Sequence, residues 1–189
     1  MSRAIFLDRD GVICKNRRDY IKSWQEFQFI PQAQRYLAEL SKLPYSIVVV
    51  TNQSAIGRKI ISENTVTEIH RRMIVEIEAY GGRIDRVMVC PHRPDEGCQC
   101  RKPSPGMLLA AEQELVIDLS RSFMIGDAAS DVVAGQEVRC QALLVLSGRG
   151  QQQLAEALSS AKESFVVTRN LGQATRYIVE SHKHLLPVD

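Results

Sequence analysis

The strongest constraint on this chain is a rhythm: short apolar runs of strand length alternate with stretches of helical period. The runs cover 4–8, 46–52, 86–90, 122–127, 141–146 and 165–167. Between them, 31–42 puts Ala33, Leu37 and Leu40 on one helical face, and 62–80 repeats Val66, Ile69, Met73, Ile77 and Tyr80 at spacings of three and four. Ser62 stands where a helix start is expected, and Gly81 and Gly82 stop that helix. Segments 105–117 and 128–138 complete the main helices. The segment 168–189 reads as a helix with a solvated polar end carrying His182 and His184. Strand–helix–strand repetition predicts a Rossmann-like α/β fold, a mostly parallel sheet between helices. Burial on both faces explains why the strands are apolar runs. A length of 189 residues suits a single domain over 1–189.

In an open parallel sheet, ligands bind beyond the carboxyl ends of the strands. Polar residues with chemical capacity stand there four times. The first run ends in Asp8, Arg9, Asp10 and Gly11, and the second in Thr51, Asn52, Gln53 and Ser54. The third leads into a cysteine-rich segment followed by Arg101 and Lys102. The fourth ends in Gly126 and Asp127, with Asp131 one helical turn later. Asp8, Asp10 and Asp127 would repel one another without a cation among them, and Mg²⁺ prefers carboxylate oxygen, water and substrate phosphate. A lysine and a threonine hydroxyl complete a pocket for a doubly charged phosphoryl group. One carboxylate can attack phosphorus, and a second can protonate the leaving alkoxide and then activate water. Taken singly, each has a plainer reading: Asp8 and Asp10 as a surface turn, Asp127 as a helix cap, Lys102 and Arg58 as solvated charges.

Four of these segments, "FLDRDGV", "VVVTNQS", "CRKPSPG" and "MIGDAASD", resemble in order and spacing the motifs of the haloacid dehalogenase (HAD) phosphatases, over about residues 4–150. Within that superfamily, "DRDGVI", "TNQSAIGR", "CPH" and "CQCRKP" are similar to the subfamily of heptose bisphosphate and histidinol-phosphate phosphatases. The resemblance implies Asp8 as nucleophile and Mg²⁺ ligand, and Asp10 as acid/base with its backbone carbonyl on the metal. It implies Thr51 and Lys102 as phosphoryl-holding groups, Asp127 as a further Mg²⁺ ligand, and Asp131 as a support for the metal's waters or for Lys102. Asn52, Gln53, Arg58 and Arg101 fall where this family contacts substrate, and a guanidinium fork suits a second phosphate. Arg9 is expected to point away from the site. Cys14 departs from the Asn common in relatives. Ala55 and Lys59 replace frequent glycines and so bear on loop shape and substrate choice.

Cys90, His92, Cys98 and Cys100 offer four ligands suited to a closed structural zinc site in the loop 90–100. A disulfide or free thiols are the alternative. The spacing also resembles the zinc loop of the heptose bisphosphate phosphatases. Cys100 precedes Lys102 by two residues, so Zn²⁺ there would order the substrate side of the pocket. Cys140 is expected to be a buried thiol.

No insertion large enough for a cap domain separates the strands, so loops must set selectivity. The resemblance implies removal of the 7-phosphate from D-glycero-D-manno-heptose 1,7-bisphosphate, with either anomer open, or else hydrolysis of histidinol phosphate or another small sugar phosphate. A zinc-knuckle module binding nucleic acid is the reading from another class. It would need a basic face with interleaved aromatics, whereas net charge is +2 and aromatic content 6%. The same balance argues against an anionic membrane as partner. The apolar runs are too short for a membrane span, and we read no signal peptide, so a cytoplasmic monomer is expected.

Overall fold

The computed structural model describes residues 2–184. Six strands form one parallel sheet: β1 (Arg3–Leu7), β2 (Tyr45–Asn52), β3 (Arg86–Cys90), β4 (Phe123–Gly126), β5 (Gln141–Val145) and β6 (Val166–Thr168), in the order β3-β2-β1-β4-β5-β6. Seven helices are described: α1 (Ala33–Leu40), α2 (Ser54–Gly57), α3 (Glu63–Ala79), α4 (Gly106–Leu115), α5 (Ala129–Glu137), α6 (Gly150–Ser160) and α7 (Leu171–His184). All six expected strands form, with ends moved by a residue or two. Ser62 caps α3, its hydroxyl accepting from Thr65 N at 3.1 Å.

Strand side chains alternate between two cores. Ile5, Leu7, Ile47 and Val49 pack with α1, α3 and α7 through Leu37, Leu40, Ile69, Met73, Ile77, Leu171 and Ile178. Ala4, Phe6, Val48 and Val50 pack with α4 through Met107, Leu108 and Ala111. Ala142 and Leu144 meet α5 and α6. Helices on both faces bury consecutive strand positions, which is why the sequence shows apolar runs and no strict alternation.

Two helices, the four-residue α2 and the longer α6, have no counterpart in the sequence reading. In α6 the apolar positions are sparse, with Leu154 and Ala157 alone packing inward, so its helical period is weak. The C-terminal helix also differs from expectation: the His182 ring stacks edge-on against Tyr45 at 5.5 Å, so this turn packs on the core and is not simply solvated. The His184 side chain lies outside the described residues.

The parallel arrangement puts the carboxyl ends of β1, β2, β3 and β4 along one edge. Strands β1 and β4 lie at the centre, and the chain order reverses direction there, between β1 and β4. This switch point opens the crevice in which the candidate residues meet.

Candidate active site

The end of β1 delivers Asp8 into the crevice. Lys102 Nζ donates to Asp8 Oδ1 at 2.7 Å, to Asp131 Oδ1 at 2.6 Å and to the Val50 carbonyl at 2.7 Å, so all three of its N–H groups have acceptors. The ammonium is only 4% exposed. Burial works to lower its pKa, but Asp131 and Asp8 outweigh that and hold it above the ordinary lysine value. Burial pushes the Asp8 carboxyl up to about 6 against the pull of Lys102, with Asp131 and Asp10 adding to the rise.

Asp127 follows β4 and is fully buried. Burial and the neighbouring Asp8 charge raise its pKa. Its Oδ2 accepts from Asn16 Nδ2 at 2.6 Å and from Arg149 N at 2.8 Å. Two glycines with positive φ, Gly11 (+93°) and Gly148 (+61°), bring their backbones against this carboxylate. A Cβ at either would stand 2.0 or 2.3 Å from Asp127 Oδ2, inside any allowed contact.

Asp8, Asp127 and Asp131 each turn a carboxylate oxygen to within 4.8 Å of the others. Asp131 is already committed: one oxygen holds Lys102 and the other accepts from Ala128 N at 3.0 Å, capping α5. Of its two expected roles, the structure therefore favours orienting Lys102. Asp8 and Asp127 remain as two buried, mutually repelling acids, a donor set that fits a hard divalent cation.

Asp10 is close to Asp8 in sequence, but its side chain turns another way. Its carboxylate is gripped by Arg9 and by Gln53 Nε2 at 2.9 Å, and it lines the crevice. Burial alone would raise its pKa, but Arg9 holds it below the ordinary range. Arg9 thus does not point elsewhere, as the sequence suggested; it folds back onto its neighbour. Gln53 Nε2 also donates to Thr51 Oγ1 at 2.8 Å. Asn52 exchanges two bonds with the Lys102 backbone, 3.1 and 3.2 Å, tying β2 to the lysine loop.

These groups stand in a cleft of about 900 Å³. Its rim carries Arg17, Arg18, Arg58, Arg101 and Arg149. Arg101 also donates to the His92 carbonyl at 3.3 Å. Four cleft residues escaped the sequence reading. Asn16, Arg17 and Arg18 sit on the loop between β1 and α1, which carries no motif signal. Arg149 follows β5, and applying the strand-end rule to a fifth strand would have found it.

The four zinc candidates converge. Cys100 Sγ lies 3.2 Å from His92 Nδ1, 3.2 Å from Cys90 Sγ and 3.6 Å from Cys98 Sγ, while Cys90 Sγ lies 3.6 Å from Cys98 Sγ and 3.7 Å from His92 Nδ1. Ligands at zinc–sulfur bond length around a tetrahedron would stand about 3.8 Å apart, so the donor set fits. None of the five cysteines is in a disulfide. Cys14 is buried near Asp10, and Cys140 is a buried thiol with its pKa pushed up to about 12 by burial.

Comparison with known proteins bears on this geometry. A family model described as HAD-hydrolase-like matches residues 99–174. A Pseudomonas aeruginosa protein named D-glycero-beta-D-manno-heptose-1,7-bisphosphate 7-phosphatase is 39% identical over 159 residues, 84% of this chain and 89% of its own. The chain belongs to the HAD-like hydrolase family. A Neisseria meningitidis protein of the same name is 33% identical over 180 residues, 95% of this chain and 96% of its own. Among solved structures, the D,D-heptose 1,7-bisphosphate phosphatase of B. bronchiseptica, complexed with magnesium and phosphate, superposes with a TM-score of 0.89 at 31% identity, covering 95% of this chain and 99% of that one. The HAD family accounts for the fold and makes the chain a phosphoric monoester hydrolase.

Proposed function

We propose that this chain is a Mg²⁺-dependent phosphatase that removes the 7-phosphate from D-glycero-β-D-manno-heptose 1,7-bisphosphate. The observation that carries the reading is the buried Asp8–Lys102–Asp131 triad beside Asp127, with Lys102 and Asp10 lining an arginine-rimmed cleft. Relatives of this name at 33–39% identity support the substrate and its β anomer.

In this reading Asp8 attacks phosphorus with the oxygen that Lys102 does not hold. The bond from phosphorus to the sugar oxygen breaks, and Asp10 gives its proton to that oxygen. Asp10 then takes a proton from water, which attacks the aspartyl-phosphate and releases inorganic phosphate. Thr51 and Lys102 hold the transferring group, and Asp131 fixes Lys102. Asp8, Asp127 and the Asp10 carbonyl would hold Mg²⁺, which supplies positive charge toward the phosphoryl oxygens when bound. Asn52 and Gln53 act on the substrate side through the groups they tie, Lys102, Thr51 and Asp10. Arg58 and Arg101 take the second phosphate. Cys90, His92, Cys98 and Cys100 would hold Zn²⁺, which when bound would order the loop ahead of Arg101 and Lys102. The enzyme is read as a cytoplasmic monomer acting on a small phosphorylated sugar.

Phosphate release from both heptose bisphosphate anomers and from histidinol phosphate tests the reading. We expect the β bisphosphate to be preferred and Asp8→Asn to abolish turnover. Mg²⁺-dependent turnover surviving in Asp8→Asn, or a preference for histidinol phosphate, would refute it.

A further inference from the structure

We infer that Arg9 and His70 are positioning residues that aim the Asp10 carboxylate for proton transfer; the inference rests on the acid/base reading of Asp10 above. Arg9 is the bulkiest fully buried side chain, 1% exposed, and a guanidinium does not stay buried without partners. Each arm is used. Nε donates to Asp10 Oδ2 at 3.1 Å, and Nη2 donates to Oδ1 at 3.0 Å and to Oδ2 at 2.8 Å. The remaining arm, Nη1, lies 3.0 Å from His70 Nε2. A guanidinium has no acceptor, so the His70 Nε2 must offer its lone pair and the ring proton must sit on Nδ1.

His70 comes from α3, a helix anchored in the core by Ile69, Met73 and Ile77. Rigidity therefore passes in one direction: helix to imidazole, imidazole to guanidinium, guanidinium to carboxylate. Neighbouring residues in a strand point to opposite faces. Arg9 and Asp10 pair only because the chain curls directly after β1, with Ile13 N and Cys14 N both donating to the Arg9 carbonyl at 2.9 and 3.0 Å.

The clamp is lopsided. Oδ2 of Asp10 receives Arg9 Nε, Arg9 Nη2 and Gln53 Nε2. Oδ1 receives Arg9 Nη2 and, at 3.5 Å, the weak Cys14 thiol donor. Oδ1 is thus the oxygen with capacity to carry a proton, and the Asp10 side chain is 23% exposed, toward the cleft. In the first step the acid form of Asp10 passes its Oδ1 proton to the leaving sugar oxygen as the bond from that oxygen to phosphorus breaks, and the carboxylate left behind is the form that the Arg9 fork holds. In the second, Oδ1 takes a proton from the attacking water.

Leaving-group dependence separates positioning from mere structural support. An alkyl phosphate needs a proton on its leaving oxygen, and p-nitrophenyl phosphate scarcely does, so the ratio of their kcat/KM values reads the aim of the acid. For His70→Leu we expect the ratio of sn-glycerol 3-phosphate to p-nitrophenyl phosphate to fall about tenfold, the scale of a misaimed group. His70→Gln, whose Oε1 can accept from Arg9, should restore it to within about threefold. If His70→Leu does not fold, Arg9→Lys, which keeps the charge and loses the fork, carries the same test. An unchanged ratio, with both rates falling together or neither falling, overturns the inference, as does a fall that His70→Gln fails to restore. Asp10→Ala is the reference: if it too leaves the ratio unchanged, the acid/base reading has failed. If it shifts the ratio while the Arg9 and His70 variants do not, only the positioning role has failed.

Discussion

Lys102→Met isolates the electrostatics of the triad. Methionine keeps the stem and removes the ammonium that joins Asp8, Asp131 and the Val50 carbonyl, leaving two buried carboxylates facing each other. Removing one partner of a buried ion pair costs about 3–5 kcal/mol. The orphaned carbonyl adds about 1 kcal/mol. We therefore expect a loss of about 4–6 kcal/mol at pH 8, equivalent to a Tm fall of roughly 10–20 °C for a chain of this size. The sign of the pH dependence follows from Asp8. Its folded pKa of about 6 lies above the ordinary carboxylate value, so the fold binds this proton more tightly than the unfolded chain does. Stability then declines as pH rises through that window, by about 1.4 kcal/mol per unit per proton. Without the downward pull of Lys102 the window extends above 6. The gap between wild type and variant should be small near pH 5 and widest at pH 8. Urea unfolding in zinc-replete buffer without magnesium measures it. A gap equal at the two pH values, or below about 1 kcal/mol at pH 8, would refute the reasoning.

Other perturbations probe separate parts of the site. Metal analysis should find one zinc per chain, and Cys98→Ser should lower Tm measurably. After chelation, iodoacetamide should label Cys98, whose thiol the Arg101 N–H and neighbouring thiols hold down to about 7 against its desolvation, while buried Cys140, up at about 12, stays unlabelled by mass spectrometry. Arg58→Ala and Arg101→Ala should each lower kcat/KM for the bisphosphate by about tenfold or more and spare p-nitrophenyl phosphate, as steady-state kinetics would show. Gly148→Ala drives a methyl into Asp127 and should cut turnover by about a hundredfold with p-nitrophenyl phosphate as well, because the displaced acid serves every substrate.

Much of this was legible in the residues. The apolar runs named the strands because burial on both faces leaves a continuous signal, and the strand-end rule led to Asp8, Thr51, Lys102 and Asp127 before any geometry was known. Spacing likewise marked Cys90, His92, Cys98 and Cys100. The tertiary pairings were not legible. Arg9 looked like a spacer between two acids because nothing in a linear pattern announces that a side chain will fold back on its neighbour. His70 sits at a core-facing position of α3, where a buried histidine and a functional one look alike in sequence. Gln53 and Asn52 carry amides suited to substrate, and only the fold shows those amides already occupied by Asp10, Thr51 and Lys102.

The strand order has a consequence for how the molecule is made. Strand β1 emerges first from the ribosome yet lies at the centre of the sheet, paired on one side with β2 and on the other with β4. Its second edge must wait for Phe123, Met124 and Ile125 to be translated. Until then the nascent chain displays an open apolar border next to half of a reaction centre, with Asp8, Thr51 and Lys102 present and Asp127, Asp131 and Arg149 still to come. Covering the second edge of β1 and delivering Asp127 and Asp131 are therefore one event, and a chain stalled before β4 is both inactive and prone to associate through that border.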